Sequence, residues 1–201
     1  YKPKKIIVWC NNDSVDLTKY KSHPGILVIT ASQNLGVWAR FFSLYYLFNC
    51  KYVCVFDDDT IPGKKWFENC INTMNKYNAL LGTIGIVYKE GNKYELFSKC
   101  GWDSKTNNNE NAEYVDIVGH SWFFKKEWIT TLIKDLPNID EKMLVCGEDM
   151  HLSYVMQKYL NIPTMVPPHP INDQELWGGN QKKSHIYGNI DSTWAKFSSS
   201  G

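Results

Sequence analysis

The sequence predicts an α/β fold with a mostly parallel central sheet flanked by helices, and three observations carry that expectation. Short β-branched and aromatic runs alternate with amphipathic stretches through the first half of the chain, the pattern of βαβ units. The apolar runs end in turns rich in asparagine or aspartate, as buried parallel strands end at loops. With 201 residues, 43% of them apolar and 21% charged, the chain can build a core and is not of disordered composition.

The elements follow in order. Ile6 to Trp9 is a first strand, ending at Asn11, Asn12 and Asp13. Ile26 to Thr30 is a second, followed by the turn-rich Ser32 to Gly36 and a helix from Val37 to Phe48. Tyr52 to Phe56 is a third strand that runs straight into Asp57, Asp58 and Asp59 before Pro62 and Gly63 break the chain. Lys65 to Tyr77 has apolar residues at helical spacing, and Leu80 to Tyr88 is again a strand. The polar stretch from Gly91 to Tyr114 suggests a long hairpin or surface loop. Val115 to Val118 and Trp122 to Phe124 resume strand character, Glu127 to Ile133 and Glu148 to Tyr159 are helical, and Ile171 to Gly188 is expected to be a mobile loop.

Composition excludes some classes of partner. A formal charge of +1 offers no basic excess for a nucleic acid or an anionic membrane surface. No stretch of 18 apolar residues provides a membrane anchor in this segment. Six cysteines without CxxC pairs, several inside apolar runs, read as free thiols in a reducing compartment, hence the cytoplasm. The opening at Tyr1 and the Ser198 to Gly201 tail read as one domain excised from a longer polypeptide.

Ligands of parallel α/β sheets bind beyond the carboxyl ends of the strands, which is where Asn11, Asn12, Asn34 and the aspartates fall. Three successive aspartates raise one another's pKa, and a hard divalent cation, Mn²⁺ or Mg²⁺, relieves that crowding. In a strand-end loop Asp57 and Asp59 can face one side while Asp58 points elsewhere; a solvated turn is the plainer alternative. Glu148 and Asp149 open a helix, where the dipole favours their charged form, although they could also be simple first-turn acids. Arg40 is the single arginine among 22 basic residues, a planar fork suited to a diphosphate or a base edge, or to a buried ion pair. Late in the chain Trp177, Gly178, Gly179, Lys182, Lys183 and His185 form a segment that could hinge at its glycines and close over a diphosphate. Trp122 is the candidate acceptor wall, with His120 beside it.

Here the chain resembles the GT-A-fold glycosyltransferases, Rossmann-like enzymes acting on nucleotide-diphospho-sugars, which carry a DxD motif at a strand end. The order of strand-Asn-Asn, Asn34-Gly36-Arg40, Asp57-Asp58-Asp59 and Glu148-Asp149 carries the likeness over about residues 5 to 190. It is most similar to exostosin-like transferases and to glycosyltransferase domains encoded by chlorella viruses. The resemblance implies a nucleotide-binding half over about residues 1–90 and an acceptor half over about 91–201. It implies a UDP-sugar donor contacted by Asn12, Asn34, Arg40, Asp57, Asp58 and Lys182, and a Mn²⁺ or Mg²⁺ ion on Asp57 and Asp59 with His185 completing the shell. Asp149 with Glu148 would be catalytic, and His120 and Trp122 would meet a glycan acceptor. The implied reaction moves a hexose or deoxyhexose to a glycan hydroxyl, with viral capsid glycans in a host cytoplasm as one setting. Exostosin-like enzymes carry a late arginine at the donor; none follows Arg40 here, and Lys182 or Lys183 could stand in for it.

Two other classes remain open at this level. Haloacid dehalogenase-like phosphatases use DxD after an apolar strand, with the first acid as nucleophile, which would engage Asp57 and Asp59. A non-catalytic carbohydrate-binding module is the other. A sugar-nucleotide pyrophosphorylase needs a glycine-rich loop after its first strand, and residues 11–16 are not one.

Overall fold

The computed structural model describes residues 1–11, 16–47, 49–90, 96–101, 108–136 and 146–179. Strand β1 (Ile6–Cys10) pairs in parallel with β2 (Ile26–Thr30), from Ile6↔Ile26 to Cys10↔Thr30, with the short helix α1 (Thr18–Lys21) in the crossover. Helix α2 (Ala39–Leu47) leads to β3 (Tyr52–Phe56), and α3 (Trp66–Tyr77) leads to β4 (Leu80–Tyr88). Then come β5 (Leu96–Gly101), β6 (Glu113–Val115), β7 (Ile117–Lys125), a 3₁₀ turn at Lys126–Trp128, α4 (Ile129–Lys134), α5 (Glu148–Leu160), β8 (Thr164–Val166) and a second 3₁₀ turn at Gln174–Leu176.

A six-stranded sheet runs in the order β3-β7-β4-β8-β6, with β5 also on β4. The helices flank an α/β sheet as expected, while its pairing is mixed rather than mostly parallel. Only β4 and β8 run parallel in it; the β3–β7, β4–β7, β4–β5 and β6–β8 pairs are antiparallel. The first-half pattern shows the reason. β3 and β4 point the same way because α3 joins them in a crossover, yet β7 slots between them and runs against both. β4 and β5 have only a short connection, so the chain doubles back as a hairpin.

The core explains where these elements settle. α3 buries Trp66, Asn69, Cys70, Thr73 and Met74, positions i, i+3, i+4, i+7 and i+8, so one face packs inward. It stops at Asn78, which takes the left-handed conformation at φ 49° that asparagine tolerates. Leu80 and Leu81 of β4 are fully buried, as are Phe124, Leu132, Leu152, Met156 and Met165 around them. Phe41 of α2 meets the Trp122 ring edge-on at 5.2 Å between centroids, which holds the helix against β7. Truncating a leucine in such surroundings costs about 2–5 kcal/mol.

Of the mobile loop expected from Ile171 to Gly188, residues 180–188 lie outside the described residues, and residues 171–179 are packed instead. They fold over the start of α3 as a strap: Gly63 N–H donates to the Trp177 carbonyl at 2.8 Å and Lys65 N–H to that of Glu175 at 2.8 Å. Trp177 is 2% exposed and stacks on His169 at 4.3 Å between ring centroids. Its glycine is there for close approach rather than for hinging. A β-carbon on Gly178 would stand 2.1 Å from Thr83 Oγ1 and 2.8 Å from the Trp66 ring.

Candidate active site

β3 carries the acids to the edge of the sheet, and the chain turns at once: Thr60 N–H donates to the Asp57 carbonyl at 3.1 Å. That turn leaves Asp58 exposed while Asp57 and Asp59 are partly buried on one side. The β3–β7 register does the rest. Its last pair is Phe56↔Ser121, so one step further Asp57 and His120 face each other. His120 Nδ1 lies 3.9 Å from Asp57 Oδ2, and Nε2 lies 3.8 Å from Asp59 Oδ1. His120 holds a left-handed φ of 69°, uncommon for residues other than glycine even though histidine is among those that adopt it more readily, and costing on the order of 1 kcal/mol or more. Its Nε2 is also 3.1 Å from the Thr60 hydroxyl.

Arg40 reaches the same acids from α2. Its guanidinium pairs with Asp57 Oδ1, its Nε donates to the Val37 carbonyl at 2.9 Å, and its face lies 5.5 Å over the Trp122 ring. The preceding loop is set by asparagines. Asn11 Nδ2 donates to Asn34 Oδ1 at 2.8 Å and to the Gly36 carbonyl at 3.0 Å, while Asn11 Oδ1 accepts from Leu35 N–H. Asn34 Oδ1 in turn accepts from Gly36 N–H, and Gly36 takes φ 74° to close the turn. Asn34 therefore shapes the loop beside Arg40 through its own side chain.

The acid pair comes from α5. Gly147 opens the helix at φ 90°, and Glu148 and Asp149 occupy its first turn. Asp149 lies against β7 because residue 119 has no side chain: a β-carbon there would stand 2.9 Å from Asp149 Oδ2. Asp149 Oδ1 is buried without a hydrogen-bond partner. Burial, reinforced by Glu148 and Asp57 and opposed by Arg40, holds Asp149 well above the usual carboxylate range. Burial also raises Glu148, with Arg40 pulling the other way.

Charge is crowded throughout. Burial pushes Asp57 up to about 7 against the pull of Arg40, with Asp59, Glu148 and Asp58 adding to the rise. Burial, then Asp58, raises Asp59, while burial and Arg40 push His120 down to about 4, so its ring is neutral near pH 7. Asp57, Asp59 and His120 each offer a ligand atom, and those atoms lie within 4.8 Å of one another. Asp59 Oδ1 is buried without a hydrogen-bond partner, an oxygen suited to a cation. Two carboxylates and an imidazole form a donor set that suits Mn²⁺ and accommodates Mg²⁺ less well, so the residues present fit a divalent ion.

With this geometry in place, residues 3–133 match the family model described as glycosyl transferase family 2. The chain belongs to glycosyl transferase family 2. That match takes in Asn34, Arg40, the three aspartates and His120, and it ends before Glu148 and Asp149. In fold the chain is similar to the crystal structure of GalNAc-T7 with UDP, GalNAc and Mn²⁺, with a TM-score of 0.59 and 14% identity. The likeness covers 96% of this chain and 41% of that one, so the chain spans about two fifths of that protein's length. No curated protein matches the sequence. Membership of the glycosyl transferase family removes the phosphatase alternative, and the fold is GT-A.

Set against the sequence reading, the family member's structure brings Asp57, Asp59, Arg40, Glu148 and Asp149 to one region. It moves two residues. Trp122 is 1% exposed, enclosed by Phe41 and covered by Arg40, so it has no free face for an acceptor and belongs to the core. His120, expected on the acceptor side, stands with the aspartates as a potential ligand. Asn12, Lys182 and His185 lie outside the described residues. Asn11, read at the first strand's end among the candidate ligand-side residues, is the one that ties the loop beside Arg40 together, whereas sequence reasoning overlooked Thr60 and Gly119. Thr60 was visible as a hydroxyl directly after the acids, whereas nothing local marks Gly119.

Proposed function

We propose that this chain transfers a sugar from a UDP-sugar to a hydroxyl of a glycan acceptor, with a divalent cation at Asp57, Asp59 and His120. The observation that carries the reading is the meeting of those three ligand atoms with the buried Glu148 and the half-buried Asp149, which keeps a buried, unpartnered oxygen. Membership of glycosyl transferase family 2 and the GT-A fold support it.

Each residue has a part that its position allows. Asp57, Asp59 and His120 would hold Mn²⁺ or Mg²⁺. Such an ion supplies positive charge for the diphosphate that leaves the sugar. Arg40 neutralises part of the acid cluster and keeps Asp57 oriented, and its remaining N–H groups are donors suited to phosphate or ribose oxygens. Asp149 Oδ1 would accept a hydrogen bond from the acceptor hydroxyl and take its proton as the new C–O bond forms at the anomeric carbon and the bond to the diphosphate breaks. A carboxylate raised by burial is better matched to that proton than an ordinary one. Glu148, beside it, keeps that proton affinity high. The finer reading, a hexose or deoxyhexose donor in an exostosin-like or chlorella-virus setting, is supported by the order of the motifs.

Calorimetric titration with UDP and with UDP-glucose, in Mn²⁺ and again in EDTA, tests the reading. Binding that requires the metal is the expected result. Equal binding under both conditions would remove the cation from the proposal, and no binding of either ligand would return the chain to a non-catalytic carbohydrate-binding module.

A further inference from the structure

We infer that Thr60 is a positioning residue: its hydroxyl fixes the tautomer of His120, so that Nδ1 is the ring atom offered to a divalent cation. The inference rests on the reading that Asp57, Asp59 and His120 hold that cation.

The partners of one hydroxyl decide the matter. Thr60 Oγ1 lies 3.1 Å from His120 Nε2 and donates to the His120 carbonyl oxygen at 3.2 Å. A threonine hydroxyl has one proton to give and lone pairs to accept with. The His120 carbonyl can only accept, and so can the Asp59 carboxylate that the same hydroxyl also serves, so the hydroxyl proton goes to one of these oxygens. Nε2, bonded to the same hydroxyl oxygen, must then be the donor and carry the ring N–H. Were Nε2 the acceptor, the single proton would be spent on it, and two bare oxygens would face each other at 3.2 Å in a poorly hydrated spot. With the proton on Nε2, the lone pair is on Nδ1, the atom 3.9 Å from Asp57 Oδ2.

Thr60 is 9% exposed, so water is a poor substitute for its hydroxyl. The same residue closes the Asp57 turn through its backbone, at 3.1 Å, so one position secures the two sides of the cluster. His120 also gains from an anchor, because its φ of 69° costs on the order of 1 kcal/mol or more in a residue with a β-carbon. A ligand histidine normally gives its second N–H to a fixed acceptor, a role the Thr60 hydroxyl oxygen can fill, and loss of such an acceptor typically weakens metal binding about 10–100-fold.

The test measures Mn²⁺ affinity by the EPR signal of free Mn²⁺ for the unsubstituted protein, Thr60→Val, Thr60→Ser and His120→Ala. Long-range ¹⁵N NMR of the unsubstituted protein, labelled at histidine, reads the tautomer without any substitution. Expected are an Nε2–H ring for His120, a loss of about 10–100-fold in Thr60→Val, and near-complete recovery in Thr60→Ser. Proton density on Nδ1 of the unsubstituted protein, or Thr60→Val binding Mn²⁺ as the unsubstituted chain does while His120→Ala does not, would overturn the role of Thr60. His120→Ala binding Mn²⁺ normally would instead remove the reading on which the inference stands.

Discussion

His120 of β7 faces Asp57, the residue that follows β3, with Nδ1 3.9 Å from Oδ2, although α3, β4, β5 and β6 lie between them in the chain. The acids at the end of β3 are thereby completed by an imidazole that no local motif announces. The consequences can be measured separately for the cation, the transfer step and the strap that closes the fold.

Asp59→Ala should abolish metal-dependent binding of UDP, because it removes an oxygen that has no other partner. Asp149→Asn should leave that binding within about twofold and lower the transfer rate by about 10²–10⁴, the usual worth of a positioned proton acceptor. Calorimetry and single-turnover rates on the two variants separate these roles. Equal donor affinity in both would show that the division is wrong.

Gly119→Ala is a more delicate probe. The new methyl would press on Asp149 Oδ2 from 2.9 Å, and a carboxylate can swing away where a backbone could not. The variant is expected to fold, to bind UDP with Mn²⁺, and to lose on the order of 10-fold to 100-fold in kcat with little change in KM for the donor. An unchanged kcat would mean that Asp149 acts from some other position.

Gly178→Ala examines the strap over α3. Its β-carbon would overlap Thr83 Oγ1 and the Trp66 ring, and overpacking of this kind costs about 1–3 kcal/mol. At about 2–4 °C per kcal/mol for a chain of this size, the melting temperature should fall by roughly 2–12 °C. Differential scanning calorimetry reads the change; a melting temperature equal to that of the unsubstituted protein would show that residues 171–179 do not bear on stability.

His169 gives the fold a pH dependence of known sign. Burial pushes its imidazole down to about 4 from an ordinary value of 6.5, and the side chain is 2% exposed against Trp177. The unfolded chain therefore binds the proton more readily than the folded one. His169 contributes fully above about pH 6.5, and acidification from there to about pH 4 removes on the order of 3 kcal/mol, with no further loss from this group below. In urea titrations His169→Phe, which keeps a ring against Trp177, should show a shallower fall in stability across that window. Parallel curves for the two proteins would exclude His169 as the source.

The legible part of this protein was local. The alternation that marks β1, β2 and β3, the helical face of α3 and the opening of α5 at Glu148 are all written in neighbouring residues, because period and end residues are properties of a short window. Asp57 to Asp59 stand out for the same reason, as polar residues that end an apolar strand. The placement of Trp122 shows where such reading stops. Its polar neighbours His120 and Ser121 suggested a surface, but alternation in a strand tells which residues share a face and not what covers that face.

By itself, then, the sequence determined the strands and helices of the first half, the strand-end acids and the membership of a glycosyl transferase family. Only the tertiary structure decided that β7 enters between β3 and β4, that its register sets His120 against Asp57 and Gly119 against Asp149, and that the Trp177–Gly178 segment packs on α3. The reason is physical. A strand's side-chain pattern repeats every two residues and is indifferent to its neighbour, so partner and register are chosen by the burial of whole faces at once.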